Sequence, residues 1–220
     1  MSNAGAIGCI TALTFQSPEA LRDEIRKCKD LTKKPFGVNL TLLPTLTPPN
    51  YGEYANVVED EMASGQLRLI ETAGHVKGLE PFVRQFKNAG AFVVHKCTQV
   101  RHAKTAERMG VDMISMDGFD CAGHPGEADV GNWVLFAKAA RKLSVPFVGS
   151  GGCGDGKQLA AAIALGAEGM NVSCAGRSID PSIGSDRIGV RDYAPMAHAL
   201  SLVFVKIHGN RPSLLCTFQS

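Results

Sequence analysis

A histidine flanked by glycines is the residue best suited to acid–base chemistry. Residues 117–127 read DGFDCAGHPGE and follow an apolar run. An imidazole titrates near neutral pH, so His124 could remove a proton next to an electron-withdrawing group. From residue types alone, a surface histidine in a Gly/Pro turn is an equally good interpretation. Metal binding by His124 with Glu127 and Asp129 is a weaker one, because no second histidine lies nearby, and we predict no metal site.

A glycine run forms the second candidate site. Residues 148–156 read VGSGGCGDG, follow an apolar run and open a helix-like stretch. Glycine allows backbone N–H groups to approach an anion closely, and a helix N-terminus favours negative charge. We therefore predict that Gly151 and Gly152 bind a phosphate group. The alternative is a flexible turn in which Asp155 caps the following helix.

Two polar residues end apolar runs elsewhere in the chain. A lysine at the end of a buried strand, such as Lys96, is costly unless it meets an anion, and a cofactor phosphate is a natural partner. Its stem could instead pack while the ammonium reaches solvent. Asn39 could hydrogen-bond a planar heterocycle or form a turn. Cys97 and Cys121 have no dedicated base, so we expect them to line a core or a pocket.

These residues are positioned by apolar runs that alternate with helix-like stretches. Strands are predicted at 6–12, 36–40, 67–72, 91–95, 112–116, 146–149 and 169–172. Helices are predicted at 18–30, 51–64, 79–89, 99–109, 132–142 and 157–165. Residues 199–207 fit a strand or a short helix equally well. Strands that alternate with helices and are apolar on both faces predict an α/β fold with parallel strands.

Polar residues collect where the predicted strands end, at Asn39, Glu71, Lys96, Asp117 and Ser150. In barrels and in open α/β sheets, ligands bind at the carboxyl ends of the strands. We therefore expect the ligand site at this end of the fold.

Bulk composition narrows the classes of partner and compartment. The 220 residues suit one domain, and a net charge of +2 predicts no nucleic-acid or membrane partner. No apolar run is long enough to span a bilayer, and the start lacks the basic region of a signal peptide. Seven cysteines without a Cys-x-x-Cys pair predict a reducing, cytoplasmic location.

Taken together and in order, these segments resemble the nitronate monooxygenase family, formerly called 2-nitropropane dioxygenases. The matching phrases are SNAG (2–5), PFGVNL (35–40), ETAG (71–74), HKCT (95–98), DGF running into AGHPGE (117–127), SGG running into DG (150–156) and LGAEGMN (165–171). The likeness covers about residues 2–172, and it is the joint occurrence of the phrases that makes it specific.

The resemblance implies a TIM (β/α) barrel that binds FMN without a covalent bond. It implies that His124 is the base that deprotonates a nitroalkane. The implied cofactor contacts are Asn39, Lys96, Gly123, Gly151 and Gly152, with Ser173 and Cys174 at the remaining positions of the phosphate cup. The implied reaction is flavin-dependent oxidation of an alkyl nitronate or nitroalkane with O₂ to a carbonyl compound and nitrite, in which the protein positions the flavin.

The same resemblance predicts an incomplete barrel. Family members carry one more strand before SNAG, so seven of eight strands are recognisable here. We expect an FMN-binding barrel domain over 1–172 and a divergent tail over 173–220. An open barrel exposes strand edges, which predicts aggregation or a covering partner and leaves a homo-oligomer open.

Three other functions remain open from the sequence. The first is a related FMN- and NAD(P)H-dependent enoyl-thioester reductase, which shares the barrel and a similar Gly-His loop. The second is an incomplete barrel fragment that is not catalytic. The third is a phosphate-binding lyase or isomerase without flavin. The sequence of residues 123–127, GHPGE, favours the nitronate-oxidising enzyme.

Overall fold

The chain folds into a barrel of strands with helices outside it. The computed structural model describes residues 2–4, 6–42, 48–76, 78–121, 126, 128–152, 156–174 and 200–205. Its strands are β1 (Ile7–Thr11), β2 (Phe36–Leu42), β3 (Leu67–Gly74), β4 (Phe92–Cys97), β5 (Met113–Asp117), β6 (Phe147–Ser150), β7 (Gly169–Cys174) and β8 (Leu200–Val205). Its α-helices are α1 (Pro18–Leu31), α2 (Tyr51–Met62), α3 (Glu80–Asn88), α4 (Val100–Arg108), α5 (Asn132–Lys142) and α6 (Gly156–Ala164).

The predicted α/β fold is confirmed. Strands β1 to β7 pair in chain order and are parallel throughout. Every predicted strand and helix is present, with ends within two residues of those expected. The local signals are ordinary ones. Helix α1, for example, begins at Pro18 because the Ser17 hydroxyl accepts a hydrogen bond from the Ala20 N–H, 3.2 Å away.

The barrel is closed by a strand from the predicted tail. Residues 200–205 form β8, which resolves the choice between strand and helix at 199–207. It pairs antiparallel with both β1 and β7, whereas a complete TIM barrel has a parallel eighth strand. The seven parallel strands therefore match the expectation. The two edges predicted to be exposed are both paired within the chain.

Side chains along each strand point alternately outward and inward, and they form two apolar layers. Outward side chains such as Val93 and Ile114 pack against the helices in the larger core. Inward side chains fill the interior of the barrel, here called the lumen, and are Ile7, Cys9, Leu69, Val94, Met113 and Val148. Full burial of one such aliphatic side chain stabilises the fold by about 1.5–3 kcal/mol. In the part of the chain that is described, no helix is long and apolar enough to cross a membrane.

Polar residues replace apolar ones further along the same inward faces. Glu71 lies two residues beyond Leu69 on β3, and Lys96 lies two residues beyond Val94 on β4. Because strand side chains repeat every two residues, both point into the lumen nearer the carboxyl ends of the strands. The fold therefore places a polar layer where barrels of this type bind ligands.

Candidate ligand-binding site at the carboxyl end of the barrel

A fully buried carboxylate is the centre of the polar layer. Glu71 on β3 has no exposed surface. Its Oε2 atom accepts a hydrogen bond from Asn39 Nδ2 at 2.7 Å, and its Oε1 atom accepts one from Asn171 Nδ2. Asn39 comes from the neighbouring strand β2, while Asn171 reaches across from β7. An amide from the adjacent strand and an amide from across the lumen therefore fix the position of this carboxylate.

Lys96 lies between two carboxylates. Its Nζ atom is 3.8 Å from Glu71 Oε1 and 3.7 Å from Asp117 Oδ2. Both distances exceed the 2.7–3.2 Å typical of N–H···O hydrogen bonds. The side chain is 21% exposed, and its ammonium is attracted by both acids without a direct hydrogen bond to either.

Asp117 completes the arrangement from β5. Its Oδ1 atom accepts a hydrogen bond from Ser115 Oγ at 3.0 Å, and Cys121 Sγ lies 3.8 Å from its Oδ2 atom. Ser115 Oγ also accepts a hydrogen bond from Asn171 Nδ2 at 3.3 Å. We call this set the inner cluster, and it consists of Asn39, Glu71, Lys96, Ser115, Asp117 and Asn171.

The inner cluster shifts the pKa values of its charged members. Burial raises the pKa of Glu71, and the Asp117 charge adds to the rise, while Lys96 and the two amides oppose it. Burial alone lowers the pKa of Lys96, but the Glu71 and Asp117 carboxylates outweigh it and the net pKa is raised. Shifted ionisable groups at the mouth of a barrel are typical of functional sites.

The thiols near the cluster are held in the neutral form. Burial raises the pKa of Cys9, which lies in the lumen, and of Cys97, which lies in the outer core. Burial and the Asp117 charge raise the pKa of Cys121. The thiolate is the nucleophilic form of cysteine, so the described geometry gives these residues no activation. Cys9, Cys28 and Cys97 form no disulfide in the part of the chain that the structure describes.

The predicted phosphate loop is tightly constrained. Gly151 and Gly152 have φ values of +92° and +61°, in the left-handed region that favours glycine. A Cβ atom at Gly151 would lie 2.7 Å from the Cys121 nitrogen. Side chains hold the loop carbonyls, because Asn132 Nδ2 donates to Gly151 O and Gln158 Nε2 donates to Gly152 O. The backbone conformation therefore requires glycine at both positions.

The loop and the inner cluster lie at the same end of the barrel. Ser150, just before the loop, pairs in register with both Asp117 and Asn171. Cys121 packs against Gly151 and faces Asp117. A cavity of about 160 Å³ borders Gly151 and Gly152 and extends between α5 and α6. Lys96 and Glu71 do not line this cavity, so the loop and the cluster are adjacent but have separate surfaces.

The described residues cover part of the predicted site. The structure brings Asn39 and Lys96 together at Glu71, since Asn39 donates a hydrogen bond to this carboxylate and Lys96 Nζ lies 3.8 Å from it. His124 and Gly123 lie outside the described residues. Ser173 and Cys174 form the end of β7, and only their backbone is described. Their contacts with a cofactor stay predictions.

Four members of the inner cluster carried no predicted role. They are Glu71, Ser115, Asp117 and Asn171. Glu71 and Asp117 were recognisable as polar strand ends, and a period of two from Met113 would have added Ser115 to the same face. Asn171 meets Glu71 across 100 positions of sequence, and only closure of the barrel creates that contact.

Seven parallel strands in a curved wall, with helices outside and a polar, charged layer at their carboxyl ends, define the TIM-barrel fold class. The model of the nitronate monooxygenase family matches residues 1–176. The chain therefore belongs to the nitronate monooxygenase family.

Known relatives differ in their activities. The chain is 31% identical over 169 residues to (3aS,4S,5R,7aS)-5-hydroxy-7a-methyl-1-oxo-octahydro-1H-indene-4-carboxyl-CoA dehydrogenase of Rhodococcus jostii, covering 77% of this chain and 44% of the relative. It is 26% identical over 206 residues to a probable nitronate monooxygenase of Bacillus subtilis, covering 80% and 59%. Among solved structures, FabK from Thermotoga maritima superposes with a TM-score of 0.67 at 31% identity, covering 77% of this chain and 50% of that one. The chain thus spans about half the length of these relatives.

Proposed function

We propose that this protein is an FMN-dependent oxidoreductase that oxidises alkyl nitronates or nitroalkanes with O₂ to a carbonyl compound and nitrite. The observation that carries the proposal is the family match over residues 1–176, which contains every proposed site residue. Two nitronate anions and one O₂ hold the atoms and charge of two carbonyl molecules and two nitrite ions, so the overall reaction balances.

The described residues fit a flavin phosphate ester. Gly151 and Gly152 form a tight turn whose positive φ values and close approach to Asp120 and Cys121 require glycine, and turns of successive backbone N–H groups suit an anion. The Lys96 ammonium is partly exposed and has three donors. Asn171 is 2% exposed, and its Oδ1 atom has no hydrogen-bond partner among the described residues. The glycine turn suits a phosphate group, and the Lys96 donors and the Asn171 acceptor, which lie on a separate surface nearby, suit other polar atoms of the same ligand.

The protein's part in the reaction is positioning and proton transfer. FMN, when bound, supplies the electron-accepting chemistry. Asn39, Lys96, Gly123, Gly151, Gly152 and the β7 end at Ser173 and Cys174 would hold the cofactor. His124 would remove the carbon-bound proton of a neutral nitroalkane and so generate the nitronate. The proposed substrates are a small nitronate anion and O₂.

The absorption spectrum of the purified protein tests the proposal directly. We expect flavin bands in the visible region, or their appearance after FMN is added to the apoprotein and unbound FMN is removed. A colourless, folded protein that FMN does not reconstitute would contradict the proposal. It would favour a barrel that is not catalytic or one that works without flavin.

Substitution of His124 tests the proposed base. We expect His124→Asn to lower turnover of a neutral nitroalkane by about 100-fold or more, the usual scale of general-base catalysis. The same variant should oxidise the preformed nitronate at nearly the wild-type rate, because that substrate has already lost its proton. Equal losses of kcat/KM on the two substrates would count against the base role.

A second candidate function is oxidation or reduction of a thioester substrate. The observation that favours it is the Rhodococcus jostii relative, whose name describes a dehydrogenase of a carboxyl-CoA compound. The FMN- and NAD(P)H-dependent enoyl-thioester reductase belongs to this class. Anaerobic mixing separates the candidates. Flavin bleaching by a nitronate supports the first, and bleaching by NAD(P)H followed by reoxidation with an enoyl-CoA supports the second.

A cytoplasmic location is part of the proposal, because seven cysteines without a Cys-x-x-Cys pair favour a reducing compartment. Sedimentation of the FMN-loaded protein measures whether it forms a homo-oligomer.

A further inference from the structure

Glu71 is a buried acid with no assigned part in the proposed reaction. Both of its oxygens are occupied, Oε2 by Asn39 and Oε1 by Asn171. These amides belong to strands on different sides of β3 in the barrel. A carboxylate bonded on two sides in this way has little freedom to rotate, so it presents a fixed negative charge to the lumen.

The only cation of the inner cluster faces that fixed charge. Lys96 on β4 lies between Glu71 on β3 and Asp117 on β5. It forms no hydrogen bond with any residue that the structure describes, although an ammonium has three N–H donors. Leaving such donors unmet in a partly buried place is costly. The geometry therefore keeps the ammonium in place by attraction and leaves its donors for another acceptor.

Glu71 and Asp117 differ in the hydrogen bonds that hold their carboxylates in place. Asp117 bonds to Ser115 on its own strand and approaches Cys121 in the following loop. Glu71 is tied to two other strands and has no exposed surface. The ionisable groups that face Lys96 are Glu71, Asp117, Cys121 and Cys9. Since both thiols are held neutral by burial, the two carboxylates alone balance its charge.

We propose that Glu71 is a positioning residue, which holds the Lys96 ammonium at the mouth of the lumen so that its N–H groups bind an anionic or acceptor group of the cofactor. The proposal rests on the proposed function, because it takes FMN as the ligand. It assigns Glu71 no contact with substrate; Glu71 acts through Lys96.

A double-mutant cycle on FMN affinity tests the coupling. The variants are Glu71→Gln, Lys96→Met and the two combined, and the dissociation constant of FMN is measured by quenching of flavin fluorescence. We expect each single change to weaken FMN binding by about tenfold, the scale of one charge-assisted hydrogen bond. The double variant should bind no more weakly than Lys96→Met. Independent losses that multiply would overturn the proposal.

A matched control separates positioning from general destabilisation. Glu61 is another buried carboxylate beside cations, but it lies between α1 and α2, away from the lumen. Glu61→Gln should leave the FMN dissociation constant of the folded protein unchanged. Thermal melts show whether Glu71→Gln folds. If it does not, Glu71→Asp replaces it in the cycle, because this change keeps the charge and withdraws it by one methylene group, and the same loss of FMN affinity is expected.

A readout without FMN keeps the two proposals distinguishable. The pKa of Lys96 in the apoprotein follows from the pH dependence of its acetylation, measured by mass spectrometry. Removal of the Glu71 charge by Glu71→Gln should lower that pKa, because the nearby carboxylate favours the charged ammonium. An unchanged Lys96 pKa would overturn the positioning role. Wild-type protein that fails to bind FMN would instead defeat the proposed function and leave the labelling result to decide the part played by Glu71.

Discussion

Two buried glutamates lie beside cations in this barrel, and their surroundings differ. Glu61 between α1 and α2 meets three cations, with Lys29 Nζ at 2.5 Å, Arg26 Nε at 3.1 Å and Arg22 Nη1 at 3.3 Å. We call these four residues the outer cluster. Glu71 in the inner cluster has one cation at 3.8 Å and no direct hydrogen bond from it.

The difference appears in the pKa values. Burial tends to raise the pKa of Glu61, but hydrogen bonds and charge from Lys29, Arg26 and Arg22 outweigh it, and the net pKa is lowered. Burial raises the pKa of Glu71, and Lys96 compensates only in part. A buried charge that is balanced only in part is typical of functional sites, which agrees with the role proposed for Glu71.

The strand β4 shows the same contrast between adjacent residues. Lys96 points into the lumen, while His95 points toward the helices, where it is buried and its Nδ1 atom lies 2.9 Å from Thr72 Oγ1. Burial, aided by the charge of His102, lowers the pKa of His95 to about 4. His95 is thus a neutral residue outside the lumen, and its Nδ1 atom has Thr72 Oγ1 as hydrogen-bond partner.

Acid should have the largest effect on stability, and it should act through His95, which lies outside the lumen. His95 titrates at about 4 in the folded protein and at about 6.5 when unfolded. Its contribution to stability is therefore complete above pH 6.5 and is lost as pH falls toward 4, by about 3 kcal/mol in total. Urea denaturation between pH 7 and 4 measures this loss, and His95→Asn should make the pH dependence shallower.

The glutamates should act in opposite directions in the same titration. Glu61 has a lowered folded pKa, so the stability it supplies is present above its unfolded pKa and is lost as pH falls. Glu71 has a raised folded pKa, so its contribution is favourable at low pH and is lost as pH rises through that value. Glu71→Gln should therefore steepen the acid loss. A shallower curve for this variant would contradict the contrast between the clusters.

Neutralising Glu61 should have the next largest effect. Glu61→Gln leaves Lys29, whose side chain is only 16% exposed, without its ion-pair partner. Breaking a buried pair costs about 3–5 kcal/mol, but Arg22 and Arg26 reach solvent, so we expect about 2 kcal/mol at neutral pH. The control is Asp60→Asn, whose carboxylate pairs with Arg22 at 2.8 Å but is 61% exposed, and which should cost less than 0.5 kcal/mol. Equal losses in denaturant midpoints would show that burial does not set the effect.

Much of this fold could be predicted because its signals are local. Apolar runs that alternate with helix-like stretches predicted strands β1 to β7 and the six α-helices of the described residues. The pairing of β8 was not predictable in the same way. An isolated apolar segment at 199–207 carries no information on its partners, and its antiparallel direction depends on the gap between β1 and β7 that the rest of the chain leaves.

The location of Asn39 and Lys96 in the fold could be predicted from the sequence, but their contacts could not. The strand-end rule located Asn39 and Lys96 correctly at the carboxyl end of the barrel. A costly buried lysine predicted an anion nearby, and cofactor phosphate was the partner expected. The anions beside it in the described structure are Glu71 and Asp117. Contacts between strands depend on register and on which face each residue occupies, and neither property is local in sequence.

The smallest effect on stability is expected for an exposed ion pair on the same helix as the outer cluster. Lys27 and Glu24 form an i,i+3 pair on α1 at 3.3 Å, with side chains 54% and 20% exposed. Solvent screens this pair, and ordering two long side chains opposes the Coulomb attraction, so Lys27→Gln should change stability by only about 0.3 kcal/mol. Since Lys27 and Lys29 occupy the same helix, denaturation of Lys27→Gln and Lys29→Gln side by side isolates the partner. A loss for Lys27→Gln as large as that for Lys29→Gln would mean that helix charge, rather than the buried Glu61 carboxylate, accounts for the outer cluster.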